Sequence, residues 1–354
     1  MNGRLRRLGA DGRLALMLGL TLLAILAIGL LPTILQEGTR DWIAYQQAAD
    51  RLVRGDPLYT FVLATPDDEY YLYPPLMAAV WAAIGSPEGL LVVKLIALWG
   101  VGALAWRVFP TGPQRERAVV AVSFVAAAII APPDLHDLVL GNVMAFYVGA
   151  VAVSLAASGW LGALPLGLVC ALALKPVIGP YLLWLLIRRR GDFGRVIVVA
   201  IAASVACALF IGPGRYLEYI VALPQMSVLS DLPSGNVGLS HVSRALGLIG
   251  VAAAYLLTVA GAVGADRWRS AAIAIAAGLL AQPALGFNYA GLLLPAVVAL
   301  WLGDRPAGLI ACVAVPIVAV LSPPLAAGIL ILLAFRRFPR SIRVHPLRAE
   351  RNAE

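Results

Sequence analysis

"WLGALPLGLVCALALKPVIGPYLLWLLI", residues 160–187, is apolar throughout except for Lys175 and its neighbour Pro176. A single bilayer crossing needs only about twenty apolar residues. The run is therefore long enough to be a tight hairpin, broken where proline lacks a backbone N–H and clashes with the preceding turn. The arginines choose between the two readings. Positive clusters lie at 4–13, 107–117, 188–195, 267–269, 305 and 336–351. If all are cytoplasmic, neighbouring clusters are separated by an even number of crossings. Between 117 and 188 the other apolar runs lie at about 117–131 and 142–158. An unbroken helix makes the count three; a hairpin makes it four and puts Lys175 at the far face.

The same parity expects two crossings between 195 and 267, around a polar loop at 213–241. It expects four after 269, with turns near 285–288, 303–306 and 322–324. Residues 73–109 must cross an odd number of times, although "SPEG" at 86–89 interrupts them. A short re-entrant piece (73–85) before a full span (90–109) satisfies this. The N-terminal arginines precede a long apolar stretch ending in "PTILQEG", with no small-x-small cleavage site, so it reads as an uncleaved first span. The expectation is an all-α polytopic membrane protein of about twelve spans with both termini cytoplasmic. Residues 1–354 form one integral membrane domain, with external loops at 36–72 and 213–241.

Composition agrees. The chain is 61% hydrophobic and 13% charged, where soluble domains carry about a quarter charged residues. No alternating strand pattern suggests a transmembrane barrel. The net charge of +8 resides in short clusters between apolar runs, a topology signal rather than a nucleic-acid surface. Cys170, Cys207 and Cys312 each sit inside an apolar run and read as small core residues.

Sorting polar residues by side gathers 36–72, Asp134, His136, Asp137, Asn142, Lys175, the 213–241 loop and Asn288-Tyr289 on the outer face. Asp41 follows the first span directly. It is either a solvated loop residue or cap for an amphipathic helix over 42–53, whose apolar positions 42, 45, 49, 52 and 53 recur at helical spacing, or it is used. Tyr73-Pro74-Pro75 makes a rigid corner, and tyrosines there read first as interfacial belt residues. Lys175 either snorkels or faces a polar cavity as an anion partner. Lys94, near the start of its span, reads as snorkelling. His241 and Arg244 sit one helical turn apart at a span mouth and could meet a phosphate or a sugar hydroxyl. Asp134, His136 and Asp137 lack established metal-ligand spacing, so no metal is expected.

In order, Asp41-x3-Tyr45-x2-Ala48-Ala49, Gly55-Asp56-Pro57-Leu58-Tyr59 and Tyr73-Pro74-Pro75-Leu76 resemble the first-loop signature of the family-87 glycosyltransferases. Leu140-Gly141-Asn142, Lys175-Pro176 and a polar loop with Asn236 and Ser240 follow in the family's order. The resemblance implies a GT-C bundle that takes a sugar, foremost mannose, from a polyprenyl-phosphate donor. It implies transfer to a lipid or glycan acceptor, with inversion, at a site facing outside the cytoplasm of the cell membrane. Asp41 would then be the general base and Lys175 or Arg244 the phosphate partner, with His241 beside it. Tyr45, Tyr59, Tyr73 and Asn142 would shape the pocket. No cofactor is implied. The competing readings are a transporter or lipid flippase, the same fold with an arabinofuranosyl or other hexosyl donor, and an inactive scaffold.

Overall fold

Among the described residues, three stretches are long and apolar enough to cross a membrane: Pro87–Arg107, Arg190–Ile211 and Arg244–Gly264. At 1.5 Å per residue, such a helix reaches about 33 Å, against a hydrocarbon core of about 30 Å. The computed structural model describes residues 41–61, 70–108, 114–229, 237–282 and 285–336. The expected first span, Asn236 and parts of both external loops lie outside them. Among the described residues all regular structure is helical, and the chain is a helical membrane protein.

The helices are α1 (Asp41–Arg54), α2 (Pro75–Ile84), α3 (Pro87–Val108), α4 (Gln114–Ile130), α5 (Pro132–Leu140), α6 (Met144–Ala156), α7 (Trp160–Leu172) and α8 (Gly179–Arg188). They continue as α9 (Arg190–Ile211), α10 (Gly214–Leu229), α11 (Leu239–Val242), α12 (Arg244–Gly264), α13 (Arg267–Ala281), α14 (Leu293–Gly303), α15 (Arg305–Leu321) and α16 (Pro323–Phe335). Two 3₁₀ turns, Pro176–Ile178 and Phe287–Leu292, precede α8 and α14. The run at 160–187 is thus two helices. α7 stops at Leu172, and the chain is extended at Lys175 before Pro176 opens the 3₁₀ turn.

Hydrogen bonds sort the helix ends into two groups. At one end Arg189 donates to the carbonyls of Ser154 and Ala157, and the Gly159 N–H donates to Asp192. Arg188 donates to the Ala265 carbonyl and Arg269 to that of Ala334. Asp266 and Asp304 cap α13 and α15 there by accepting backbone N–H groups that have no helical partner. At the other end, Asp41, Asn142, Lys175 and Tyr289 meet, and the Val177 N–H donates to Gln282. The bundle therefore has an arginine-rich end and an opposite end where the uncommon polar side chains collect.

α6 and α13 are buried over nearly their whole lengths. α3 lies backbone-to-backbone on α6: a Cβ on Gly100 would strike the Gly149 carbonyl, and one on Gly149 the Ala97 carbonyl. Lipid offers no hydrophobic drive for helix association, so close approach at small residues does that work. The outer helices show lipid their apolar sides; Leu209 and Phe210 of α9 are 82% and 90% exposed.

The amphipathic helix expected at 42–53 is α1, but its buried face is Ala44, Tyr45, Ala48 and Ala49, and Val53 is 77% exposed. It packs on α2, where Trp81 Nε1 donates to Gln46 Oε1 at 2.9 Å. α2 has 10 residues and is about 15 Å long, half a hydrocarbon core. Pro75 is tolerated at its first turn, where the missing N–H has no helical partner to lose.

Candidate functional site at the polar end of the bundle

Gly141 ends α5 in the left-handed region, at φ 75°, a conformation glycine adopts without the Cβ penalty. It also lets α1 approach, since a Cβ there would lie 3.1 Å from the Cβ of Trp42. The next residue, Asn142, meets the residue before Trp42: its Nδ2 donates to Asp41 Oδ2 at 2.5 Å. The Asn142 Oδ1 accepts from the Val143 N–H at 2.6 Å and from Lys175 Nζ at 3.3 Å. Both ends of the amide are committed, which fixes its orientation. Asn142 is thus a bridge, joining the carboxylate of Asp41 to the cation of Lys175.

Lys175 donates further to Tyr289 Oη at 3.0 Å and Tyr73 Oη at 3.3 Å. Its Nζ also lies 5.0 Å and 5.1 Å from the centroids of those two rings, within cation–π range. An ammonium has three N–H groups, and all three have acceptors here. Because the two phenol oxygens accept from Lys175, their own O–H groups can donate to a ligand.

Behind this group stands an aromatic wall. Tyr71 is fully buried; its hydroxyl donates to the Pro74 carbonyl and accepts from the Ala78 N–H, capping α2. Tyr71 is therefore a structural latch for the Tyr-Pro-Pro corner rather than a belt residue. Tyr59 donates to the Tyr73 carbonyl at 2.8 Å. Tyr45 packs edge-on against Tyr73 at 5.1 Å and, at a tilt, against Trp81 at 5.4 Å. Glu218 of α10 holds the loop below by accepting from the Leu58 N–H.

Burial pushes the Asp41 carboxyl up from its ordinary 3.8, while Lys175 and the Asn142 amide pull it back. Tyr73 is pushed up to about 12, first by burial, with Lys175 opposing, so it is a neutral hydroxyl donor at physiological pH. Burial acts against a charged Lys175, while the hydrogen bond to Tyr289 and the Asp41 carboxylate act for it, and the net shift is upward from the ordinary 10.5. The arrangement sets the Asp41 carboxyl and the Lys175 ammonium on either side of one amide.

Sequence-expected residues divide. Asp41, Tyr45, Tyr73, Asn142 and Lys175 come together, with Tyr59 one layer behind. His241 and Arg244 do not join them: both are exposed, and they do not share a helical turn. Ser243 is extended (φ −163°, ψ 151°) and caps α12 by accepting from the Leu246 N–H, which separates His241 of α11 from Arg244. Lys94 does not snorkel. It is fully buried and pairs with Asp137 Oδ2 at 3.0 Å, so Asp137 has its charge partner in a lysine. Asp134 is also fully buried, with neither carboxylate oxygen hydrogen-bonded. Tyr289, outside the set expected from the sequence, is a direct contact of Lys175.

No family model, curated protein or solved structure matches this chain.

Proposed function

We propose that this protein is a membrane glycosyltransferase that moves a sugar, mannose foremost, from a polyprenyl-phosphate donor to a lipid or glycan hydroxyl. The observation that carries the reading is the Asp41–Asn142–Lys175 bridge, at the end of the bundle opposite Arg188, Arg189 and Arg269. Asp41 takes the proton of the acceptor hydroxyl as its oxygen attacks the anomeric carbon. The bond from that carbon to the phosphate oxygen breaks, and the leaving phosphate keeps its electron pair. Lys175 and the hydroxyls of Tyr73 and Tyr289 balance the charge developing there. Attack opposite the leaving group inverts the anomeric centre. The lipid tail stays in the bilayer, and the aromatic wall limits water at the reacting carbon.

The reading includes a GT-C bundle of about twelve spans in the cell membrane, its site facing outward. Arginines at the opposite end support that orientation, because cytoplasmic loops carry the positive excess. The sugar is the finer part of the proposal, and arabinofuranosyl or other hexosyl donors fit the same chemistry.

One observation favours a second reading, a transporter or flippase: Lys94, Asp137 and Asp134 are ionisable and fully buried, which in membrane proteins marks ion pathways. Purified protein in nanodiscs, given a panel of polyprenyl-phosphate sugars and a hydroxyl acceptor, separates the two. The transferase reading expects one donor to be consumed, with release of polyprenyl phosphate and an inverted product. A protein that consumes none, yet moves a lipid-phosphate sugar between leaflets, overturns it.

A further inference from the structure

The two residues that touch Lys175 from α6 and α14's side, Asn142 and Tyr289, sit beside residues held by a single carboxylate. Asp137 accepts from Lys94 Nζ at 3.0 Å, from the Met144 N–H at 2.9 Å, from the Ala145 N–H at 3.0 Å and from Asn288 Nδ2 at 3.3 Å. The Asp137 backbone carbonyl accepts from Lys94 as well, at 2.6 Å, and from the Gly141 N–H at 3.1 Å. Met144 and Ala145 open α6 two residues after Asn142. Asn288 immediately precedes Tyr289. Lys94 brings α3 to the same point.

We infer that the buried Lys94–Asp137 pair is a positioning device that sets Asn142 and Tyr289 at their distances from Lys175. The chemistry at Asp41 therefore depends on a pair that does not touch it. Three features support positioning over simple packing. The pair carries two charges into a buried region, where a well-packed apolar pair is often as stable or more so. Each carboxylate oxygen accepts from donors on different elements, which defines orientation in a way apolar contacts do not. And the chain has only two lysines, Lys94 and Lys175: one lies in the site and the other in its support, while arginine serves every boundary cluster.

The inference rests on the transferase reading for its catalytic consequence, but its structural core has an independent readout. With two lysines in the chain, acylation by a small amine-reactive reagent, read by peptide mass spectrometry, reports how readily Lys175 is reached and deprotonated. The test variant is the neutral double change Lys94→Met with Asp137→Leu, which leaves no orphaned charge. It is expected to insert and to unfold near the wild-type temperature. Lys175 labelling should rise about fivefold or more and kcat for transfer fall about a hundredfold, with donor KM within about threefold, as for a displacement near 1 Å. Asp192→Asn, breaking an ion pair at the arginine end, should leave Lys175 labelling unchanged.

Wild-type labelling and kcat in a folded double variant overturn the inference, as does a rise in Lys175 labelling in Asp192→Asn as large as that in the double variant. If the double variant does not insert, Asn288→Ala decides. It removes only the hydrogen bond from Asn288, the neighbour of Tyr289, to Asp137, and labelling must still rise, with wild-type labelling and rate overturning the inference. If the wild-type protein transfers no sugar, the functional reading falls while the labelling arm stands.

Discussion

Asn142→Asp gives a perturbation whose direction and size follow from the geometry. The wild-type amide donates to Asp41 Oδ2 at 2.5 Å; an aspartate there removes that donor and sets a second carboxylate against the first. A hydrogen bond to a charged group contributes about 1.5–3 kcal/mol, or about one to two pH units at about 1.4 kcal/mol each. Repulsion between two carboxylates about 4 Å apart adds about 4 kcal/mol at an effective dielectric of about 20. Lys175, 3.3 Å from the Asn142 oxygen, offsets part of it. The net expectation is a rise of about two to three units in the acid limb of kcat/KM, and the two carboxylates titrate as a pair. The sign follows from the role. Asp41 must be ionised to accept a proton, so activity falls as pH falls through its pKa, which already lies above 3.8. Asn142→Ala loses only the hydrogen bond and should move the limb by about one to two units. The assay is the pH dependence of transfer in nanodiscs. An Asn142→Asp enzyme that transfers sugar with the wild-type acid limb refutes the assignment.

Tyr289→Phe keeps the ring over Lys175 and deletes one acceptor, so kcat/KM should fall about tenfold with unfolding temperature nearly unchanged; steady-state kinetics and a thermal melt check both. Asp134 is unpartnered and fully buried, and burial, then Asp137, raises its carboxyl well above the ordinary 3.8. The folded state thus keeps a proton that the unfolded state releases, so stability present at low pH is lost as pH rises towards the folded value. Unfolding measured at a series of pH values above the ordinary carboxyl 3.8 should show this slope in the wild type and a shallower one in Asp134→Asn. For orientation, Ser158→Cys, at the arginine end, should resist an impermeant maleimide in intact cells, whereas Asp56→Cys, in the loop below the site, should react. The reverse pattern contradicts the outward-facing site.

Much of this was legible because it was local. The break at Lys175-Pro176 follows from proline's missing N–H, and helix α1 from apolar spacing, although its buried face is rotated towards Ala44 and Ala48 by packing on α2. The corner at Tyr73-Pro74-Pro75 was visible, but its latch was not: Tyr71 caps α2 by reaching three and seven residues ahead, which a belt tyrosine would not. Contacts across the bundle left little local trace. Tyr289 meets Lys175 across 114 residues, and Asp137 meets Lys94 across 43. A lysine near a span end resembles a snorkelling one until its partner is known. The chain's sparing use of lysine was the one available signal. His241 and Arg244 seemed a helical pair because spacing alone does not reveal the extended Ser243 between them.

The most direct measurement is single-turnover transfer from a radiolabelled polyprenyl-phosphate mannose by the wild type and Asp41→Asn, both purified in nanodiscs and matched for folding. Asn keeps the size and can still hydrogen-bond to Asn142, but it cannot take a proton at neutral pH. The wild type should transfer the sugar, and Asp41→Asn should bind donor with near-wild-type affinity while losing about a thousandfold or more in rate. Near-wild-type transfer by Asp41→Asn would contradict the assignment of Asp41 as the base.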